Sequence, residues 1–310
     1  MPLLDSTRTL ARLGLAELSR SRHKGLQELL KSACTDPSQP DSRDVAFGVA
    51  PRINAAGRMA HPAEALAVFE AALDEEAARQ SVDRLNQLNA ERRHTVKLHF
   101  EELVEAVGTN IPAGLVVYRE TSPKGIAGLL ASKCVERYSV PSIVLAPSTI
   151  PGQVVGSGRS VPGVDLVKTL EPLKELFLRF GGHAQAVGLT MAVGRIDEFR
   201  ETFARSVEPM ARASSHRIHA EAELTLSFVG PHFDKQLLLL EPFGDGNRPP
   251  MFSVRTAEVV SIRNKWARIR QGRSSVEVLC WDVPLTEKMK GDFLVEFYGK
   301  TRILRGFTPR

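Results

Sequence analysis

The sequence predicts an α/β protein entered through one long helix and followed by a small antiparallel β-barrel, and three observations carry that prediction. Gly114-Leu-Val-Val-Tyr118 and Ser142-Ile-Val-Leu-Ala146 are short apolar runs suited to buried strands, with a helical stretch at Gly125–Arg137 between them. Residues 74–107 keep Val82, Leu85, Val96, Leu103 and Val107 near one helical seam, interrupted by Asn89 and Arg92. Alternation of apolar and polar residues is clear in Ser275–Trp281 and in Asp292–Tyr298, the period of half-exposed strands.

Each element has its local reason. A helical pattern covers Thr7–Arg20, and Thr35-Asp-Pro-Ser-Gln-Pro-Asp-Ser42 breaks it with turn chemistry. Ala63–Glu70 reads as a short helix. The long helix starts at Asp74, an N-cap residue with Glu75 and Glu76 in the first turn, and stops at Gly108. At 1.5 Å rise it spans roughly 50 Å, a length suited to connecting domains. Its charged stretch Glu91-Arg92-Arg93-His94 is expected to be solvated, with contact to nucleic acid the lesser alternative. A helix is expected over Asp165–Arg179 and a strand over Ala184–Met191, giving a parallel or mixed sheet. The last part has a strand pattern at His219–Phe228, a short helix at Phe233–Leu239, and core anchors Phe243 and Phe252. Strands at Val254–Arg263, Trp266–Arg270, Ser275–Trp281, Phe293–Tyr298 and Ile303–Gly306 follow. The divisions expected are 1–73, a connecting helix 74–108, an α/β domain 109–213 and a β-domain 214–310.

Length and composition suit two compact soluble domains, since 310 residues are 43% hydrophobic without an apolar run of membrane-spanning length. The first residues lack the basic and apolar regions of a secretory signal. Cys34, Cys134 and Cys280 are odd in number and lack metal spacing, so reduced thiols and a cytoplasmic location are expected. The net charge of +5 is unevenly placed: Ser261–Arg310 holds eleven Lys and Arg against five acids. A basic terminal module on a near-neutral body is the pattern of a nucleic-acid-binding appendage, and equally that of a solvated basic surface.

Two segments combine bare backbone with fixed polar side chains. In Gly156-Ser-Gly-Arg-Ser160 and Arg179-Phe-Gly-Gly-His183, glycine lets the main chain approach an anion and successive amides can form a nest. Arg159 adds a planar donor fork matched to phosphate, with Ser157 and Ser160 beside it. The bland alternative is a pair of tight turns flanking a helix. Arg52, Asn54 and Arg58, around Gly57 in Ala50-Pro-Arg-Ile-Asn-Ala-Ala-Gly-Arg-Met59, are further candidates for a phosphate-facing surface.

Together with Leu240-Glu-Pro-Phe-Gly-Asp-Gly-Asn-Arg-Pro-Pro-Met-Phe252, these motifs resemble, in order, the later part of the RecJ-type single-strand-specific exonucleases of the DHH phosphoesterase superfamily. The resemblance covers nearly the whole chain. It implies a DHH-associated substrate-binding domain, an OB-like C-terminal barrel, and 5′→3′ hydrolysis of single-stranded DNA in repair and recombination, dependent on Mn2+ or Mg2+. It also implies that Gly181, Gly182 and His183 contact substrate near the catalytic face. The family's consecutive Asp-His-His is absent from this sequence, and its eight histidines do not pair with carboxylates in a two-metal pattern. No catalytic or metal-ligand residue is therefore assigned in this chain. Residues 1–73 read as the end of a catalytic domain, as a split gene, a frameshift or a misassigned start would leave them, and a separately encoded metal-bearing domain is an expected partner.

Where many relatives carry Trp-His-Pro-Gly, this sequence has Ser122-Pro123-Lys124-Gly125, so Lys124 is the candidate phosphate contact there. In the barrel, Lys265, Trp266, Arg268 and Arg270 are the candidate strand-binding residues, with Trp266 stacking on bases; Trp281 is the other candidate and equally a core residue. A non-catalytic single-strand-binding module is the alternative function, and a small-nucleotide phosphodiesterase of the superfamily a more remote one.

Overall fold

The computed structural model describes residues 2–213, 219–280, 283–298 and 301–310. Trp281 lies outside the described residues. The chain forms two compact units, one of Met1–Ala50 with Arg217–Arg310 and the other of Pro51–His216. The first unit opens with α1 (Asp5–Arg20), α2 (Lys24–Ala33) and a π-helical turn at Asp44–Val49. The start of α1 is closed by Thr7, whose Oγ1 accepts from the Leu4 amide at 3.0 Å. Arg8 and Arg12 on α1 donate to the carbonyls of Leu239 and Glu241 at 3.0–3.3 Å.

The second unit comprises α3 (Ala50–Met59, all but its first residue), α4 (Ala63–Glu70), α5 (Glu75–Val107), β1 (Leu115–Tyr118), α6 (Ala127–Tyr138), β2 (Ser142–Pro147), β3 (Gln153–Arg159), α7 (Leu166–Leu170), β4 (Phe177–His183), β5 (Ala186–Ala192) and α8 (Ile196–Ala213). Helix α5 has the boundaries its caps dictate. The Asp74 carboxylate accepts from the Glu76 and Ala77 amides at 2.9 and 3.0 Å, and Gly108 closes the last turn at φ 67°. Val82, Leu85, Leu88, Val96 and Leu103 are buried along its seam, and Asn89 is buried with them.

The sheet of this unit runs β1-β2-β3-β5-β4, with β1 and β2 parallel and the other pairs antiparallel, the mixed sheet expected. It separates two apolar layers. On one face Ile143, Leu145, Val187 and Leu189 pack against Leu166 of α7 and Phe199, Phe203 and Val207 of α8. On the other, Val117 and Val144 pack against Ile126, with Leu130 and Cys134 of α6 and Val96 and Leu103 of α5. The Cys134 thiol is pushed up to about 12 by this burial.

The first unit is completed by β6 (Ala222–Glu223), α9 (Pro231–Leu238), β7 (Met251–Arg263), β8 (Trp266–Gln271), β9 (Ser274–Leu279), β10 (Lys290–Tyr298) and β11 (Thr301–Pro309). The pairings run β7–β8–β9 and β7–β10–β11, all antiparallel, and β9 meets β11 in parallel at the single pair Leu279–Ile303. That seam is too short to make a fully laddered barrel, so the closed barrel expected from the strand count is not formed. Inside, Phe233, Phe252 and Phe297 meet with ring centroids 5.4–5.8 Å apart, mostly edge to face. Phe243, the other expected anchor, is buried and packs on Tyr298 at 5.4 Å. Arg302 lies over Phe297 and donates to both carboxylate oxygens of Asp234 on α9, at 2.9 and 3.1 Å.

Three expectations are corrected. The helix over Asp165–Arg179 is α7 alone, from its N-cap Asp165, followed by a 3-10 turn at Glu171–Leu176 and then β4. Pro172 has no amide to continue the helix, and Phe177–His183 pairs with β5 instead. The two glycine motifs are consequently strands on either side of β5, neither nests nor turns. The strand over His219–Phe228 shrinks to β6, after which the chain enters a 3-10 turn at Leu226–Phe228 with Leu224 and Leu226 buried.

Two consequences for stability follow. Glu241, whose Oε1 is buried and finds no donor among the described residues, has its carboxyl raised from 4.5 to about 7 by burial and by the nearby Asp41. Between those two values the unfolded chain ionises this group while the folded chain keeps its proton. Stability of this unit should therefore fall as pH rises from 4.5 to about 7, and Glu241→Gln should flatten that slope in urea titrations at fixed pH values. In the other unit, Phe199 is fully buried and meets Phe177 edge to face at 5.1 Å. Phe199→Ala should cost about 3–5 kcal/mol, read as a lowered denaturation midpoint.

Candidate nucleic-acid interface

Strand β3 turns alternate residues to opposite faces, and the two sets do different work. Gly156 and Gly158 face the α7–α8 layer, where an added Cβ would lie 2.6 Å from Leu145 Cδ2 and 2.7 Å from Val187 Cγ2 respectively. Their glycine identity is thus a packing requirement, and their amides lie between two antiparallel partner strands. The donors this motif could offer an anion are therefore on its side chains.

Those side chains are Ser157 and Arg159, on the face toward α6. The Arg159 guanidinium donates through Nη1 to Ser157 Oγ at 3.1 Å and to the Gly158 carbonyl at 2.7 Å. Beneath it is Gly128 of α6, where a Cβ would stand 2.9 Å from both Arg159 Nη2 and Ser157 Oγ. From α3, Arg58 donates through Nη1 to the Gly125 carbonyl at 2.9 Å, just before α6 begins. Burial, and then the positive charge of Arg58, hold the Arg159 guanidinium below its ordinary pKa. Arg92 of α5 is lowered likewise, by burial first and then by Arg58 and Arg93. The charges that lower Arg92 and Arg159 are other arginines, Arg58 for both and Arg93 for Arg92, so among the described residues the corner gathers cations.

Beside this corner the sheet continues uncovered. Antiparallel register lines up Arg159, Ala186 and His183 in one row and Ser157, Gly188 and Gly181 in the next. A Cβ on Gly181 or Gly188 would meet nothing within 4 Å, so the second row is an open shelf one residue thick. His183 is exposed on the edge strand β4, two strand spacings, roughly 10 Å, from Arg159. Gly182 is required by the backbone itself: at φ 152° its Cβ would fall 2.3 Å from the Ala186 carbonyl oxygen.

The other candidates separate. Lys124 is exposed next to Gly125, at the edge of the cationic corner. Ser160 is buried, with its hydroxyl donating to the Val164 carbonyl at 2.6 Å and its amide to the Gln185 carbonyl, so it ties loops together. Arg52 donates to Asn86 Oδ1 of α5 at 2.8 Å, while Asn54 is exposed on a different face of α3. Lys265, Trp266, Arg268 and Arg270 belong to the other unit. There Trp266, Arg268 and Arg270 alternate on the outer face of β8 while Ala267 and Ile269 fill the core. Arg268 pairs with Glu277 at 2.8 Å and Arg270 with Glu258, each on a neighbouring strand. Trp266 is 44% exposed, opposite Arg263 in a cleft also lined by Ser261 and Asn264. Arg92, Gly128 and Arg263 were not singled out by the sequence as site residues; for Arg92 the signals were its break in an apolar seam and its place in the charged stretch Glu91–His94.

Residues 112–208, which hold the mixed sheet and the paired Ser157 and Arg159, match the family described as DHHA1 domain. The chain is 31% identical over 85% of its length to the single-stranded-DNA-specific exonuclease RecJ of Bacillus subtilis (strain 168), and 35% identical over 82% to that of Dickeya dadantii (strain 3937). Its whole length superposes on RecJ of Thermus thermophilus solved with Mn2+, at a TM-score of 0.79 and 25% identity, and with Mg2+ at 0.78. It covers 47% of the chain solved with Mn2+. The chain belongs to the RecJ-type exonucleases and corresponds to their C-terminal portion. It spans 34% and 46% of the length of the two curated relatives.

RecJ of Thermus thermophilus was solved with Mn2+ and with Mg2+, and among the described residues of this chain no three His, Cys, Asp or Glu side chains come together to hold a metal ion. Nor is any helix among them long and apolar enough to cross a membrane.

The contact between Arg58 and Gly125 gives a direct test of how the cationic corner is built. A Cβ at Gly125 would lie 2.2 Å from the Arg58 carbonyl oxygen. Gly125→Ala should therefore push α3 away from the start of α6 and cost about 1–3 kcal/mol in denaturant titrations.

Proposed function

We propose that this chain is the strand-holding part of a 5′→3′ single-stranded-DNA exonuclease acting in repair and recombination, with Arg58, Ser157 and Arg159 binding a phosphate of the strand. The observation that carries the reading is the cationic corner itself. A half-buried guanidinium, fixed by Ser157 over Gly128 and facing the like charge of Arg58, is stabilised by an incoming phosphate. Lys124 supplies a further exposed cation beside it. The open row of Gly181 and Gly188 accommodates the adjoining sugar or base, and His183 donates to it from the strand edge.

The β-rich part of the other unit acts in this reading as an OB-like module. Its strand order, with the first strand paired to the second and fourth and the third meeting the fifth in parallel, supports that assignment. Trp266 offers a stacking surface, with Arg263 and Lys265 as phosphate contacts, and Arg268 and Arg270 join once their glutamates are displaced. Hydrolysis would draw on a metal-bearing domain, joined to this chain or separately encoded, where Mn2+ or Mg2+ would supply the metal chemistry that the residues of this chain do not.

Binding of 5′-phosphorylated single-stranded DNA, followed by fluorescence anisotropy across a salt series, tests the proposal. Arg159→Ala should weaken binding by about tenfold or more and lower the salt slope by about one. Unchanged affinity in Arg159→Ala would overturn the phosphate assignment. Robust Mn2+-dependent hydrolysis by this chain alone would overturn the division of labour.

A further inference from the structure

A second cationic cleft lies in the same unit, between α5 and α6, outside the corner just described. It has a volume of about 460 Å³, and its lining includes Arg92, Arg93, Lys97 and Phe100 from α5 and Lys133 from α6. Helical spacing accounts for the arrangement: Arg92, Val96 and Phe100 recur every four residues on one stripe of α5, with Arg93 and Lys97 on the next. Val96 is buried against α6, Phe100 is half-buried at the floor, and the Lys133 ammonium stands 5.2 Å from the Phe100 ring centroid. Two carboxylates, Glu101 and Glu136, also reach the cleft, and Lys97 lies 3.9 Å from Glu101. Cations outnumber them two to one.

Arg92 links this cleft to the corner. It lines the cleft, yet its charge environment includes Arg58, whose charge also acts on Arg159. Its Nε is buried and has no hydrogen-bond acceptor among the described residues.

We propose that the cleft between α5 and α6 is a second subsite for single-stranded nucleic acid, in which Arg92, Arg93 and Lys133 hold backbone phosphates and Phe100 lies against a base or sugar. This inference rests on the reading of the Arg58–Arg159 corner as a phosphate site and extends it along the strand. An acidic peptide offers similar charge, but it provides no flat ring for the half-buried Phe100 and no regular row of anions for cations spaced along two helices.

Length separates the two subsites. Affinities of 5′-phosphorylated oligothymidylates from two to about twelve nucleotides are measured in a salt series for the intact chain and for Arg159→Ala, Lys133→Gln and Phe100→Leu, with circular dichroism confirming that each folds. Lys133→Gln should leave the dinucleotide unchanged, weaken the longer strands by about three- to tenfold and reduce their salt slope by about one. Phe100→Leu should weaken the longer strands without altering the slope. If Lys133→Gln leaves long and short strands equally unaffected while Arg159→Ala still weakens both, the cleft is not a subsite and the corner assignment survives. If Arg159→Ala has no effect but Lys133→Gln weakens the longer strands, the cleft stands and the corner assignment falls. Displacement by a polyglutamate peptide with no dependence on oligonucleotide length would identify the cleft as a peptide site and overturn the inference.

Discussion

Everything distinctive in the central sheet follows from lodging one guanidinium against a helix. Arg159 lies over Gly128 because any side chain there would occupy the space of its Nη2 and of Ser157 Oγ. The same close approach lets α6 cover β2 and β3 while leaving β5 and β4 bare on that face. A cation half removed from water, with the like charge of Arg58 acting on it, raises the free energy of the unliganded corner. An anion relieves that cost most when it arrives with several oxygens, which is the form in which phosphate comes.

The alternation of β3 keeps this polar requirement from disturbing the core. Gly156 and Gly158 admit Leu145, Leu189 and Val187 on one side, and Ser157 and Arg159 address α6 on the other. Register then carries the functional row across the sheet without further side-chain contacts, since Ala186 sits between Arg159 and His183. Residues far apart in sequence are positioned by hydrogen-bonded strands, the stiffest part of the unit.

How much of this was legible depended on whether the signal was local. The limits of α5 were readable because Asp74 and Gly108 cap it with their own backbone and side chain, and the seam of Val82, Leu85, Val96 and Leu103 is a property of one helix. Ser157 and Arg159 were readable as polar residues next to glycines. What those glycines do was not, because Gly156 and Gly158 answer to leucines and valines on other strands, and glycine pairs resemble turns when read alone. The same ambiguity turned β4 into the end of a helix, although Pro172 marked where helical hydrogen bonding stops. Gly128 carried no local signal at all, and Arg92 only those of an arginine in an apolar seam and in a charged stretch. In the β-rich part, alternation located the strands well, while the single parallel pair of Leu279 with Ile303 is beyond any pattern of period two.

The ion pairs across β8 bear on kinetics as well as affinity. Arg268 and Arg270 already have glutamate partners on adjacent strands, so a phosphate can engage them only by exchange with a carboxylate tethered nearby. Such exchange returns most of the Coulomb energy gained and keeps a competitor at high local concentration. A surface built this way favours frequent, short-lived contacts over a tight grip.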